Sequence, residues 1–191
     1  MSLTSAIQKL KDEMEKEGLE QEKGLGTELF HFSSTPAPVV NVDLLITDSA
    51  GRVLLSWRDD YQTESGWHVP GRCIRFRETL EDAVQRCAQS ELGAEVIHSV
   101  EPIKIYEFHW KTYRLHVDDQ RERAHFITLV YACRLPDDYK LDEHNLPEGR
   151  PGHLKWFDSM PEDMLQIQEC YRRDWEQLKR RIVEEKNNGL E

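Results

Sequence analysis

An α+β sandwich is the fold class this sequence predicts, and three observations predict it. The run Val39–Ile46 is too continuously apolar for a surface strand and reads as a central one. Residues 79–92 switch to helical spacing and stop at Gly93. Two long strand-like runs, 103–114 and 124–135, precede a second helical stretch over 162–186. Strands with one helix between them and another after them predict helices layered on a sheet around one core.

Taken in order, residues 3–22 read as a charged helix, with Leu3, Ile7, Leu10 and Met14 repeating at three to four positions and Gly24 and Gly26 ending it. Residues 1–30 are thus expected to form an N-terminal helical arm, serving as a packing arm, a dimer contact or a plain extension, and residues 31–191 one domain that includes the C-terminal helix. Pro36 and Pro38 introduce the first strand; Asp48, Ser49, Ala50 and Gly51 form a turn, and residues 52–57 return as a second strand, predicting a hairpin. In the helix over 79–92, Leu80, Ala83, Val84, Cys87 and Ala88 fall on helical spacing, and Gly93 stands where a left-handed C-terminal cap belongs. The polar stretch 115–123 joins the two long strands. A loop rich in Pro and Gly over 147–152 leads to a short strand at 154–157. The last helix carries Met164, Ile167, Tyr171, Trp175, Leu178 and Ile182 on one face, a stripe for core or dimer packing rather than for stacking on bases.

At 191 residues the chain is long enough for one domain with a proper core. Its net charge of −11 argues against nucleic acid and against an anionic membrane as partners, because phosphate surfaces are bound by clustered Lys and Arg. A small anion remains open to it if a few arginines and a divalent metal are focused in a cleft. Cys73, Cys87, Cys133 and Cys170 are far apart, offer no zinc spacing and form no disulfide framework. The N-terminus lacks a basic start and an apolar signal core, and no run approaches membrane-spanning length, so a reducing cytoplasmic location is expected.

The chemistry concentrates between Gly71 and Ala94. Five residues separate Arg72 from Glu78, and seven separate Glu78 from Arg86. The helix then places Cys87, Ser90 and Glu91 at i, i+3 and i+4, on one face. Carboxylates at such positions converge on Mg2+ or Mn2+ bridging to phosphates. Here Glu91 is the only carboxylate of the three. Read without a family, Arg86 and Glu78 are either a structural pair tying helix to loop or a substrate contact, and Cys87 is small buried filler.

The spacing resembles the Nudix signature: Gly, five residues, Glu, seven residues, Arg-Glu, an aliphatic, any residue, Glu-Glu, any residue, Gly, an aliphatic. Arg72, Glu78, Arg86, Cys87, Ala88, Ser90, Glu91, Gly93 and Ala94 keep every interval, with Arg72 in place of the glycine and Cys87 and Ser90 in place of glutamates. The resemblance implies the Nudix fold, an α/β/α sandwich with a mixed sheet, and an enzyme that hydrolyses nucleoside diphosphate derivatives.

Within the superfamily the chain is most similar to the GDP-mannose mannosyl hydrolase branch, over roughly residues 30–160. The matching residues are Ser34-Thr35-Pro36, Val42-Asp43, Trp57-Arg58, Val69-Pro70-Gly71, Glu78-Thr79-Leu80-Glu81, Ser90-Glu91-Leu92-Gly93 and His125-Phe126. That branch implies a nucleotide-sugar substrate, a homodimer, and Mg2+ (or Mn2+) held by Glu91 and the Gly71 carbonyl. It implies Arg58 and Arg86 on the diphosphate and Asp43 on the sugar. His125 is a further substrate-contact candidate, its alternative reading being a rim histidine of the strand. The branch's arginine after the glycine pair falls on Cys73, leaving Arg72 or Arg75 to substitute. Its general base is a loop histidine, but the matching position is Pro151; His144 and His153 lie in the same loop, and either has the right chemistry. If the turn needs a positive φ at position 72, Arg72 is strained there, and its side chain partly fills the metal cleft. The rival reading is a catalytically inactive Nudix module that binds a nucleotide or a protein partner.

Overall fold

The structure, a computed structural model, describes residues 2–16, 27–34, 37–60, 64–109 and 125–187. Its elements are α1 (Leu3–Lys16), α2 (Thr27–Ser34), β1 (Val39–Ile46), β2 (Val53–Asp60), β3 (Glu64–His68), β4 (Gly71–Cys73), α3 (Leu80–Leu92), β5 (Ile97–His98), β6 (Lys104–His109), β7 (His125–Arg134), α4 (Leu141–His144), β8 (Leu154–Phe157) and α5 (Glu169–Asn187).

β1 is central. It runs parallel to β7 along its whole length, Val39 opposite Phe126 through Ile46 opposite Cys133, and antiparallel to the edge strand β4. β5 and β6 pair with β7 on its other side, which completes a mixed sheet. A second sheet, β3-β2-β8, is antiparallel throughout. Alternation along β1 divides the core. Val42, Leu44 and Ile46 pack with Ala83, Val84, Cys87 and Ala88 of α3, whereas Leu45 packs with Tyr171, Trp175, Leu178 and Ile182 of α5. A strand covered on both faces must be apolar throughout, which is what the sequence shows at Val42–Ile46 except for Asp43. The layers are therefore helix, sheet, helix.

α3 starts and stops as its residues dictate. The Thr79 hydroxyl accepts from Asp82 N at 3.1 Å and Asp82 returns a carboxylate oxygen to Thr79 N, a capping box; Gly93 closes the helix with φ 70° and ψ 17°.

Three expectations are corrected. β1 and β2 form no hairpin: after the Thr47–Val53 bridge they enter different sheets, because β4 and β7 take both edges of β1 while β3 and β8 take both edges of β2. The final helix begins at Glu169 rather than near 162, because Trp67 N donates to the Asp163 carbonyl and Leu165 N donates to the Trp67 carbonyl, holding that segment extended beside β3. The chain after Pro70 is not only a turn but the short edge strand β4. The helix end at 17–22 with Gly24 and Gly26, the pair Thr35-Pro36, and residues 110–124 of the expected strands and their joining loop lie outside the described residues. Among the described residues, no helix is long and apolar enough to cross a membrane.

Candidate functional site

The site is built where the edge strand β4 meets the C-terminal half of α3. Leu44 N donates to the Pro70 carbonyl at 2.8 Å and Ile74 N donates to the Val40 carbonyl at 2.9 Å. In an antiparallel ladder these bonds make Asp43–Gly71 and Asn41–Cys73 non-hydrogen-bonded pairs, so the Gly71 and Cys73 carbonyls point off the sheet edge. Arg86 from α3 reaches the Cys73 carbonyl through Nη2 at 2.8 Å. The same guanidinium binds both oxygens of Glu78, Nε to Oε1 at 2.5 Å and Nη2 to Oε2 at 2.9 Å. Glu78 Oε2 also accepts from Arg75 N at 2.8 Å. Chiefly because Arg86 hydrogen-bonds it, the Glu78 carboxyl is held below the usual carboxylate range. This three-way brace clamps the loop after β4 onto α3, and Arg86 and Glu78 are at least a structural pair.

Glu91, one turn further along α3, is bound by Arg72: Nε donates to Oε1 at 2.8 Å. Arg72 lies in β4 opposite Val42 with ordinary strand φ, so the backbone strain expected of a non-glycine residue is absent; among the described residues the non-glycine positive φ belongs to Arg77, at 63°. Its side chain lies against Glu91, the carboxylate expected to hold a metal. Cys87, at the second glutamate position of the signature, is fully buried, and burial followed by the charges of Glu91 and Asp43 pushes its thiol pKa up, away from nucleophilic chemistry. Ser90 is exposed.

Asp43 projects to the opposite face of the edge. It is 4% exposed, accepts from Tyr171 Oη at 2.6 Å, and lies near enough to Arg58 to feel its charge. Burial pushes its pKa up to about 7, against the opposing pull of Tyr171 and Arg58. Gly71 is glycine because of this carboxyl: a Cβ there would stand 2.0 Å from Asp43 Oδ1. Gln168 ties the corner together, accepting from Val69 N at 2.7 Å and reaching Asp43 Oδ2 at 3.4 Å. The sequence does not single out Gln168 or Tyr171 as partners of this corner. Tyr171 is visible in the sequence only as part of an apolar stripe, and nothing local marks Gln168.

The remaining candidates are dispersed. Trp57 N donates to the His153 carbonyl at 2.7 Å, which sets His153 beside the β2 segment bearing Arg58. Its ring lies 5.9 Å from that of Trp67, and Nδ1 stands 2.6 Å from the Leu146 carbonyl, so Nδ1 carries the proton of the neutral ring and Nε2 is an acceptor without a partner among the described residues. His144 ends α4, but its side chain lies outside the described residues. His125 is joined to Glu107 at 3.0 Å and sits five residues before Val130, the partner of Asp43 on β7, roughly 17 Å away at about 3.3 Å per residue. The structure does not bring it to Glu91 or Asp43.

Nudix hydrolases generally use divalent metal ions, and the donors here permit a test of fit. The Gly71 carbonyl is directed off the edge and free of the ladder. Glu91, however, is already neutralised by a guanidinium, and a cation placed on it would face that like charge at close range. No group of three or more His, Cys, Asp or Glu side chains able to hold a metal occurs among the described residues. As arranged, the side chains do not fit a resident divalent ion.

The sequence matches the family described as NUDIX domain over residues 37–178, well over half the chain. A low-salt glycan biosynthesis protein of Haloferax volcanii is 33% identical over 102 residues, 53% of this chain and 62% of the relative, so the match spans about three fifths of that protein's length. Among solved structures, a possible asymmetric diadenosine tetraphosphate hydrolase of Jonesia denitrificans superposes with a TM-score of 0.56 at 20% identity, covering 76% of this chain and 97% of the other. A MutT NUDIX hydrolase of Burkholderia pseudomallei gives 0.53 at 21% identity, covering 72% and 97%. These two share the fold. With its helix-sheet-helix layers and the signature intervals on β4 and α3, this chain belongs to the NUDIX domain family.

Proposed function

We propose that this protein hydrolyses a nucleoside diphosphate derivative, and that its substrate class is the nucleotide sugars of the GDP-mannose type. One observation carries the reading: the edge of β4 and the end of α3 present Arg72, the Gly71 carbonyl and Glu91 together, braced by Arg86 and Glu78. In a chain of net charge −11, arginines gathered at one edge mark a place for a small anion. Arg72 and Arg75 supply the charge for a diphosphate at this edge, Arg58 stands near Asp43, and Arg86 acts mainly as the brace. The relative named for glycan biosynthesis supports a sugar donor, because nucleotide sugars are the activated donors from which glycans are built.

In the proposed reaction water attacks the sugar carbon. Its oxygen forms the new bond to that carbon, its proton passes to a loop histidine, and the carbon–oxygen bond to the diphosphate breaks with its electron pair leaving on the nucleoside diphosphate. His153, with Nε2 free and Arg58 nearby, is the base this geometry favours over His144. Asp43 receives the sugar side. Arginines stabilise the departing charge.

A second reading is favoured by a specific observation. The two signature glutamates are a buried cysteine and an exposed serine, which suits a module that binds a nucleotide or a protein partner without turnover. Incubation with a panel of nucleotide sugars, scored for free sugar against sugar phosphate, separates the readings. Free sugar with nucleoside diphosphate supports the first; no release of either, with binding retained, supports the second.

A further inference from the structure

We infer that the Arg72 guanidinium, oriented by Glu91, takes the place of the divalent cation at the box and receives the diphosphate itself. The inference rests on the reading that this edge binds a diphosphate.

Three observations converge on it. First, the guanidinium is joined to Glu91 through Nε at 2.8 Å, and among the described residues neither terminal nitrogen has a hydrogen-bond partner. The carboxylate thus anchors the inner end of the group, and the outer fork is left to meet an anion, the geometry in which Arg binds phosphate in bidentate fashion. Second, the side chain of Arg72 is 45% exposed while that of Glu91 is 16% exposed, so the positive end faces solvent and the carboxylate lies behind it. An incoming phosphate meets Arg72 first.

Third, the charges balance without a metal. The full signature carries three acidic side chains on α3 beside a glycine, a set that is strongly anionic until cations bind. Here the same four positions hold Arg72, Cys87, Ser90 and Glu91, one cation and one anion. Cys87 is fully buried and its thiol stays protonated, so it adds no charge. With Arg72 in place of the signature glycine, the single carboxylate left on this face of α3 already has its counter-charge. The Arg72 side chain leaves the strand edge next to the Gly71 carbonyl, so it starts beside the backbone donor expected to hold a metal.

The test uses the whole chain, with Mn2+, inorganic pyrophosphate and GDP as probes. Mn2+ binding is measured by the loss of its free-ion electron paramagnetic resonance signal for the native protein, Arg72→Gly, and Arg72→Gly combined with Glu91→Gln. Arg72→Gly is expected to bind Mn2+ at least about tenfold more tightly than the native protein, and the gain should vanish when Glu91→Gln is added. Calorimetry then follows pyrophosphate and GDP in excess EDTA and in millimolar Mg2+. The native protein should bind alike in both, whereas Arg72→Gly should lose about tenfold in EDTA and recover in Mg2+. Arg72→Gln, which keeps a side chain on the strand, repeats the measurement if the glycine variant melts early.

Tight Mn2+ binding by the native protein that Glu91→Gln abolishes overturns the inference. So does binding of both anions only when Mg2+ is present; in that case the edge still binds diphosphate and only the role of Arg72 is wrong. Failure of both anions to bind in either buffer overturns the underlying reading, and the inference with it.

Discussion

The phenol of Tyr171 donates to Asp43 Oδ2 at 2.6 Å, joining α5 to the strand that backs the site. Asp43 is the ionisable residue in the otherwise apolar buried run of β1, and its pKa is raised from 3.8 to about 7 by burial. The folded protein therefore keeps a proton that the unfolded chain has released above the ordinary carboxylate pKa. Stability falls as pH rises from about 4 to about 7 and then levels off, by up to about 4 kcal/mol. Asp43→Asn keeps an acceptor for Tyr171 and removes the titration. Denaturant unfolding should show the variant gaining on the native protein steadily over that window; parallel pH profiles would refute the buried, proton-holding carboxyl.

Gly71 and Asp43 form a steric pair. A methyl at position 71 overlaps Asp43 Oδ1 at 2.0 Å and Cγ at 2.9 Å. Gly71→Ala is expected to destabilise by about 1–3 kcal/mol. Combined with Asp43→Ala, which removes the obstacle, it should cost markedly less than the sum of the single changes. Strict additivity in urea midpoints would mean that the turn is displaced for another reason.

Arg86 holds three acceptors, both oxygens of Glu78 and the Cys73 carbonyl. Arg86→Ala should cost about 2–3 kcal/mol, because it strands a half-buried carboxylate and a backbone oxygen. Arg86→Lys should restore less than half of that, a point charge being unable to reproduce the fork. Equal stability of the lysine variant and the native protein would reduce the brace to simple charge.

Arg77 holds φ at 63° in the loop between β4 and α3. Arg77→Gly relieves a left-handed conformation that only glycine adopts freely, and is expected to stabilise by about 0.5–1 kcal/mol. A lowered melting temperature would show that the contacts of Arg77 outweigh the backbone term.

Much of this was legible in the residues. α3 could be read nearly to the residue, its start from the apolar spacing and its end from the Gly93 cap. β1 announced itself by burial on both faces. Family membership followed from intervals between charged residues, which survive substitution of the residues themselves. What could not be read is non-local. Nothing near Val53 says that β2 leaves the sheet of β1, since that is decided by β3 and β8. The extended segment at 163–165 looks helical by spacing and is held straight by Trp67, almost a hundred residues earlier. Likewise the place of Arg72 on Glu91 depends on β4 pairing with β1, and the part of Gln168 depends on α5 folding back over the turn. His125 lies against Glu107 at the end of β7 away from Asp43, a separation that strand pairing alone decides.

The proposed work of the edge built from Arg72, Gly71 and Glu91 is the cleavage of nucleotide sugars. The most direct measurement is product analysis after incubation with GDP-mannose and related nucleotide sugars, for the native protein and for Arg72→Ala. Free sugar and nucleoside diphosphate are expected in equal amounts, with release slowed at least about tenfold by the substitution. Sugar phosphate with mononucleotide, or release that Arg72→Ala leaves unchanged, would contradict it.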